Sequence, residues 1–315
     1  MKKQTGCLLA LCLLGLAGCI TAFKETEPVS WEQQQAFVRK VRDPRLFGLG
    51  IYQTPAGAQI RGGGRLHPSQ SEALQMQLEE PWRSVVNMTG RFGMELPVLL
   101  DCTAPLSVFE FDTALSLKAC PVSESRAQML NLPGDPISSC VSLIPSIRLG
   151  MVYIENQLVM VRMANGSLGT IARSIEEPQP MGVLGWDVLQ KFEQVQFLYS
   201  IGQVLLRTTD VYEPNPGFLK AQIPLVKHRG ACVVRGMVNG KAELILIDPA
   251  GDFEVAAEPG TDVATLQLAD GVVISEPTVA VSPGGVRVGA RFLQNFRVTL
   301  CPKSGVMYLE GRTEP

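Results

Sequence analysis

Histidine is nearly missing from this chain: His67 and His228 are the only two in 315 residues, and each stands alone among loop-forming neighbours. That scarcity leaves no Ser-His-Asp or Cys-His arrangement to support nucleophilic hydrolysis. None of the eight cysteines shows C-x-x-C spacing or a histidine at ligand spacing, so no metal site is expected. The glycine-rich stretches at 48–50 and 62–64 lack the strand-to-helix spacing that cradles phosphate. They read as turns, and no cofactor is expected. A basic excess is absent too: 28 Lys and Arg stand against 30 Asp and Glu, for a net charge of −2. Nothing in that balance favours nucleic acid. Beyond residue 17 no apolar run approaches the roughly twenty residues that a membrane-spanning helix requires.

The beginning of the chain is what does carry an address. Lys2 and Lys3 precede an apolar stretch from Cys7 to Ala17, too short to span a bilayer and suited to a cleaved export signal. Leu16-Ala17-Gly18-Cys19 resembles the lipobox of bacterial lipoproteins. The resemblance implies that residues 1–18 are removed and that Cys19 is lipidated as the new N-terminus. Ile20, rather than an aspartate, follows the cysteine, which by the same analogy implies an outer-membrane protein facing the periplasm. The membrane is then a partner through acyl chains alone. Removal of two lysines takes the charge from −2 to −4. Disulfides are permitted in such a compartment, and five cysteines remain after Cys19.

Residues 19–45 read as the lipidated terminus, a tether and a helix. Ser30-Trp31-Glu32-Gln33 has the form of a capping box, which predicts about three helical turns ending before Asp43-Pro44. From about Ser84 short runs of Val, Ile, Leu and Met alternate with Gly, Pro and Asn turns, the mark of a mainly β chain. Two short helices interrupt it, near 187–192 and 292–296.

The β region repeats itself. "VVNMTGRFGMELPVLLD" (85–101) lies over "CVVRGMVNGKAELILID" (232–248) without a gap, so Asp101 falls on Asp248 and Gly93 on Gly240. "IRLGMVYIENQLVMV" (147–161) parallels "LQLADGVVISEPTVAV" (266–281). "LGWDVLQKFEQVQFLYSIGQVLL" (184–206) parallels "VGARFLQNFRVTLCPKSGVMYL" (288–309), with one extra residue in the first copy. Glu213-Pro214-Asn215-Pro216-Gly217 is the natural boundary. The division is therefore 46–213 for the first segment and first lobe, and 214–315 for the second lobe.

An apolar strand ending in Asp, a β-rich middle, "LG-x-D-x-L-x-x-F" and a closing strand together resemble the retropepsin-like aspartic peptidases. Leu184, Gly185, Asp187, Leu189 and Phe192 match the later motif, and Gly289, Leu293 and Phe296 match it in part. The resemblance covers roughly residues 80–312. It implies a bilobal pseudodimer of two β-barrel lobes, monomeric as a chain, with Asp101 and Asp248 as a catalytic dyad in a central cleft. Such a dyad works because two carboxylates held about 3 Å apart share one proton, leaving one as base and one as acid.

Both copies depart from the family's supports. Cys102 and Pro249 stand where a hydroxyl residue grips the opposite loop, and Thr103 and Ala250 stand where glycine lets backbone N–H groups approach the carboxylate. The departures imply a protein that binds a peptide or envelope component rather than cutting one; an active endopeptidase is the alternative. The aspartates are then expected side by side but not in a tight pair, each titrating near its ordinary value of about 4. A Pro- and Ser-rich excursion with no equal in the second copy suggests a Cys120–Cys140 disulfide. Cys232 and Cys301 form a weaker second pair, leaving Cys102 free.

Overall fold

The structure, a computed structural model, describes residues 27–54, 57–78, 83–90, 93–130, 136–166, 179–228 and 230–312. The export signal and Cys19 lie outside them. The fold is mainly β. The N-terminal segment holds β1 (Glu27–Pro28), α1 (Trp31–Val38), a 3-10 turn (Pro44–Phe47), β2 (Gly50–Thr54), β3 (Gly57–Arg61) and β4 (Arg65–Leu66). Ser30 caps α1 as expected: its Oγ accepts from Gln33 N at 3.3 Å, and Gln33 Oε1 accepts from Ser30 N at 3.2 Å. The helix runs eight residues, about two turns rather than three, because only Phe37 buries a side chain and the chain then peels away to bond Arg42 N to Pro121 O.

The chain continues through β5 (Ser71–Leu78), β6 (Arg83–Thr89), β7 (Glu95–Leu100), β8 (Val108–Phe109), α2 (Phe111–Ser116), β9 (Cys120–Leu130), β10 (Pro136–Leu149), β11 (Val152–Arg162) and β12 (Ala164–Asn165). After these come β13 (Gly182–Leu184), α3 (Trp186–Leu189), β14 (Gln194–Leu198) and β15 (Gln203–Arg207). The remainder is β16 (Leu219–His228), β17 (Ala231–Val238), β18 (Lys241–Asp248), β19 (Val255–Ala257), β20 (Thr265–Ala269), β21 (Val272–Ser275), β22 (Val279–Val281), β23 (Arg287–Gly289), α4 (Ala290–Leu293), β24 (Phe296–Cys301) and β25 (Val306–Gly311).

The pairings follow the sequence repeat. Strand β7 lies between β6, antiparallel, and β13, parallel, with Leu100 opposite Leu184. Strand β18 lies likewise between β17 and β23, with Ile247 opposite Val288. Both are interior strands, which is why "VLL" and "ILI" read as apolar runs without alternation. The hairpin of the second copy closes one residue tighter: Val233 faces Leu246, where strict equivalence with Val85–Leu99 would place Cys232. Gly93 and Gly240 both sit at these turns with positive φ, 77° and 75°.

A six-stranded antiparallel sheet runs β5-β15-β14-β24-β25-β16. At its centre Gln196 faces Thr299, with Val195 opposite Leu300 and Phe197 opposite Val298. That register is symmetric about the middle pair. Strand β5 takes the place in the first half that β16 takes in the second, so the repeat begins near residue 71, earlier than the sequence pattern placed it. The apolar signal there is thin, with Leu74 and Met76 matching Ile223 and Leu225.

Among the described residues no helix is long and apolar enough to cross a membrane. All five described cysteines are free thiols, which corrects the expected Cys120–Cys140 bridge. In the β9–β10 ladder Cys120 faces Leu143 while Cys140 faces Arg126. Three residues along a strand is about 10 Å, beyond the reach of a disulfide. Cys232 and Cys301, the weaker pair, are also unbridged.

Candidate functional site

Asp101 comes directly after the last residue of interior strand β7, and Asp248 is itself the last residue of interior strand β18; at both points the chain turns out of the sheet into a short loop. The parallel neighbour holds the first turn: Asp101 N donates to Leu184 O at 3.0 Å. Each loop is then pressed against the short helix that follows the neighbour. Trp186 N donates to Ala104 O at 2.7 Å in the first copy, and Ala290 N to Gly251 O at 2.9 Å in the second. The glycines of the "LG" motif make that approach possible. A Cβ on Gly185 would lie 2.6 Å from Ala104 O, and one on Gly289 would overlap the Phe253 carbonyl.

Asp101 is 6% exposed, and one of its oxygens gathers three donors: Thr103 N at 2.7 Å, Thr103 Oγ1 at 2.7 Å and Ala104 N at 3.2 Å. Asp248 is fully buried, and among the described residues neither carboxylate oxygen has a hydrogen bond of normal geometry. The nearest cation is Arg287 Nη1, 3.6 Å from Oδ2. Burial, and secondly the negative charge of Asp101, push the Asp248 carboxyl up to about 7, against the opposing pull of Arg287 and the N–H groups of Ala250 and Gly251. The structure thus brings the two aspartates close enough to act on one another. The expectation that both would titrate near 4 fails for Asp248, because desolvation penalises its charged form whether or not the carboxylates touch.

No family model matches this sequence, and no curated protein does either. What the site can do must therefore be read from its own residues.

Several of these the sequence pattern did not single out. Arg83, 4% exposed at the start of β6, forms an ion pair with Asp252 in the second acid loop, and Arg291 Nε meets the same carboxylate at 2.8 Å. Burial alone would raise Asp252, but the two arginines outweigh it and hold the carboxyl below its ordinary value. Asp252 is therefore neutralised by arginines rather than adding free charge beside Asp248. In the first copy Ser107 Oγ donates to Asp187 Oδ1 at 2.8 Å and accepts from Gly185 N at 3.0 Å, while Gln157 Nε2 donates to Asp187 Oδ2 at 2.9 Å. The buried Tyr199 hydroxyl has no hydrogen-bond partner among the described residues and is held well above its ordinary value by burial first, then by Cys102 and Asp248.

The missing glycines do less harm than the motif suggests. The N–H groups of Thr103 and Ala104 still bond the Asp101 carboxylate. In the second loop, by contrast, Gly251 N donates to the Asp248 main-chain carbonyl at 3.1 Å, and the nearby Ala250 and Gly251 N–H groups only weakly favour the charged carboxyl. In the second loop a true glycine stands one position late: a Cβ on Gly251 would lie 3.1 Å from the Asp248 carboxyl carbon. Ala250 packs with Val85, Leu99 and Val183 of the first copy. Beside the first acid loop is a largely apolar cavity of about 730 Å³, walled by Leu106, Ile51, Ile60, Val122, Val141 and Met160 among others.

Proposed function

We propose that the mature chain is a lipid-anchored envelope protein, built as a pseudodimer of two retropepsin-like lobes, that binds a peptide or envelope component without cutting it. The repeated ladder about Asp101 and Asp248, the symmetric Gln196–Thr299 register and the paired "LG" glycines support the retropepsin-like reading. One observation carries the preference for binding: the Asp248 carboxyl has no solvent exposure and lies beside Arg287. A dyad must present both carboxylates to one water and to the scissile carbonyl. An oxygen enclosed by protein and facing a guanidinium at 3.6 Å does neither. The cavity beside Leu106 is of a size and polarity that takes a few apolar side chains of an extended peptide.

A casein or peptide-library digest of the soluble mature protein from pH 3 to 7, with and without pepstatin, tests this reading. No cleavage is expected at any pH, while a fluorescent apolar peptide array is expected to retain ligands that Leu106→Asp releases. The alternative, an active endopeptidase, draws on the two N–H groups that bond the Asp101 carboxylate and on an Asp248 whose carboxyl is pushed up to about 7 beside Asp101. Pepstatin-sensitive cleavage that disappears in Asp101→Asn would decide for it.

The anchoring is tested separately. Cys19→Ser is expected to leave the precursor uncleaved and unlabelled by radioactive palmitate, and normal processing of that variant would end the lipoprotein reading.

A further inference from the structure

We propose that Cys102 and Cys232 are a redox pair, oxidised to a disulfide that ties the first acid loop to β17 of the second copy. Cys232 N donates to Cys102 O at 2.8 Å. A backbone bond of that kind sets the two Cα atoms about 5–6 Å apart, within the span that a disulfide bridges. The two residues are 0% and 1% exposed, belong to one apolar cluster and have no hydrogen-bond partner for either sulfur among the described residues. In their ladders Cys120 is opposite Leu143, Cys140 opposite Arg126, Cys301 opposite Val306 and Cys232 opposite Lys227, so no ladder sets two of the described cysteines side by side. The Cys102–Cys232 approach is made through the backbone bond from the acid loop. The pair joins one residue past Asp101 to β17, where the family would place a hydroxyl grip between loops. A covalent link there performs the same fastening by other chemistry.

Formation breaks both S–H bonds, makes one S–S bond, and passes two electrons and two protons to a disulfide oxidant, which leaves as two thiols through a mixed disulfide. Burial raises both thiols, so the attacking thiolate is scarce once the protein is folded. Oxidation therefore belongs to folding: refolding chains should cross-link readily, and folded reduced chains only slowly.

The test uses the mature chain with Cys19→Ser, refolded in oxidised and reduced glutathione, alkylated in denaturant without reductant, and mapped by mass spectrometry. The expected product is a linked Cys102–Cys232 peptide with Cys120, Cys140 and Cys301 alkylated. Its Tm should exceed that of the reduced protein by several degrees, and the difference should vanish in Cys102→Ala and in Cys232→Ala. Five alkylated cysteines, or a link between any other two, would overturn the proposal. The mapping is done on chains with all five cysteines, so it does not depend on how the alanine variants fold. It is also independent of whether the protein binds or cleaves peptides.

Discussion

The two acid loops rest on the same ladder and are pinned to the same kind of short helix, yet with opposite polarity. In the first, Asp187 of α3 accepts from the loop hydroxyl of Ser107. In the second, Arg291 of α4, at the corresponding position, donates to the loop carboxylate of Asp252. The loops also treat their aspartates differently: three donors converge on Asp101, whereas the Asp248 carboxyl has burial, a guanidinium at 3.6 Å and, among the described residues, no good hydrogen bond. Backbone geometry can thus be duplicated while the charge state at its centre is not. One copy surrounds its carboxylate with hydrogen-bond donors; the other encloses a carboxyl whose burial favours the neutral form.

The sharpest way to separate them is pH. Asp248 has a folded value near 7 against about 4 unfolded, so between those values the folded state binds more protons than the unfolded one. Stability should therefore fall as pH rises from about 4 to about 7, by a few kcal/mol in all, and level off above. Asp248→Asn mimics the protonated form and should remove that slope, leaving the variant more stable than the parent at pH 8. Asp101→Asn should act the other way, weakening the loop while relieving the charge that holds Asp248 up. Urea denaturation across pH 4 to 8 distinguishes these outcomes. Equal slopes in the parent and in Asp248→Asn would show that the two loops do not differ as described.

The next effect in size belongs to Arg83, which ties the copies together from a buried position. Its replacement by alanine removes packed methylenes and leaves Asp252 with the exposed Arg291 alone. A loss of about 2–3 kcal/mol is expected in the urea midpoint at constant slope, somewhat below that for breaking a wholly buried pair because Asp252 is partly solvated. The sequence could not have found this residue. Its counterpart in the second copy is Gly230, so no repeat marks it, and an arginine ahead of a strand reads as a surface charge until the other copy is seen to cover it.

Other features were legible because a local rule sufficed. Ser30 and Gln33 cap α1 as their spacing requires, the Gly93 and Gly240 turns sit where the aligned copies put them, and Gly185 and Gly289 occupy equivalent close approaches. The mainly β character and the placing of both aspartates at the ends of interior strands came from apolar runs bounded by turn residues. Two features depended on long-range register instead. The Cys120–Cys140 pairing looked plausible by loop length, but ladder offset sets the distance. The titration of Asp248 looked ordinary by motif, but its burial comes from chain far away in sequence.

A smaller effect tests how much a single hydroxyl contributes to the first loop. Thr103→Ala keeps the N–H that bonds Asp101 and deletes only the Oγ1 contact at 2.7 Å. Hydrogen bonds to a charged acceptor are worth about 1.5–3 kcal/mol, and part of this loss is recovered from solvent at a half-buried site, so about 1–2 kcal/mol is expected by denaturant titration. The reciprocal change, Ala250→Thr, should also destabilise, by about 1–3 kcal/mol, since Ala250 is fully enclosed against Val85, Leu99 and Val183. A gain from Ala250→Thr would mean that the second loop has room for the missing hydroxyl.

The least effect is expected from Arg291, and its smallness is the point. Arg291 and Arg83 bind the same Asp252 carboxylate, but the Arg291 side chain is 57% exposed and that of Arg83 only 5%. Solvent screens the outer pair, and a long mobile side chain loses rotamer freedom in making it, so Arg291→Ala should cost under about 1 kcal/mol and less still in high salt. Arg83→Ala should keep most of its effect in the same salt, because much of that effect is lost packing and a buried pair is screened little. If the two variants proved equal at low salt and equally salt-sensitive, Arg83 would be acting as a surface charge and the copies would not be closed over it. An Arg83 loss that persists in salt while the Arg291 loss fades would show that the contact between acid loop and opposite copy is a dry one, fastened from the inside.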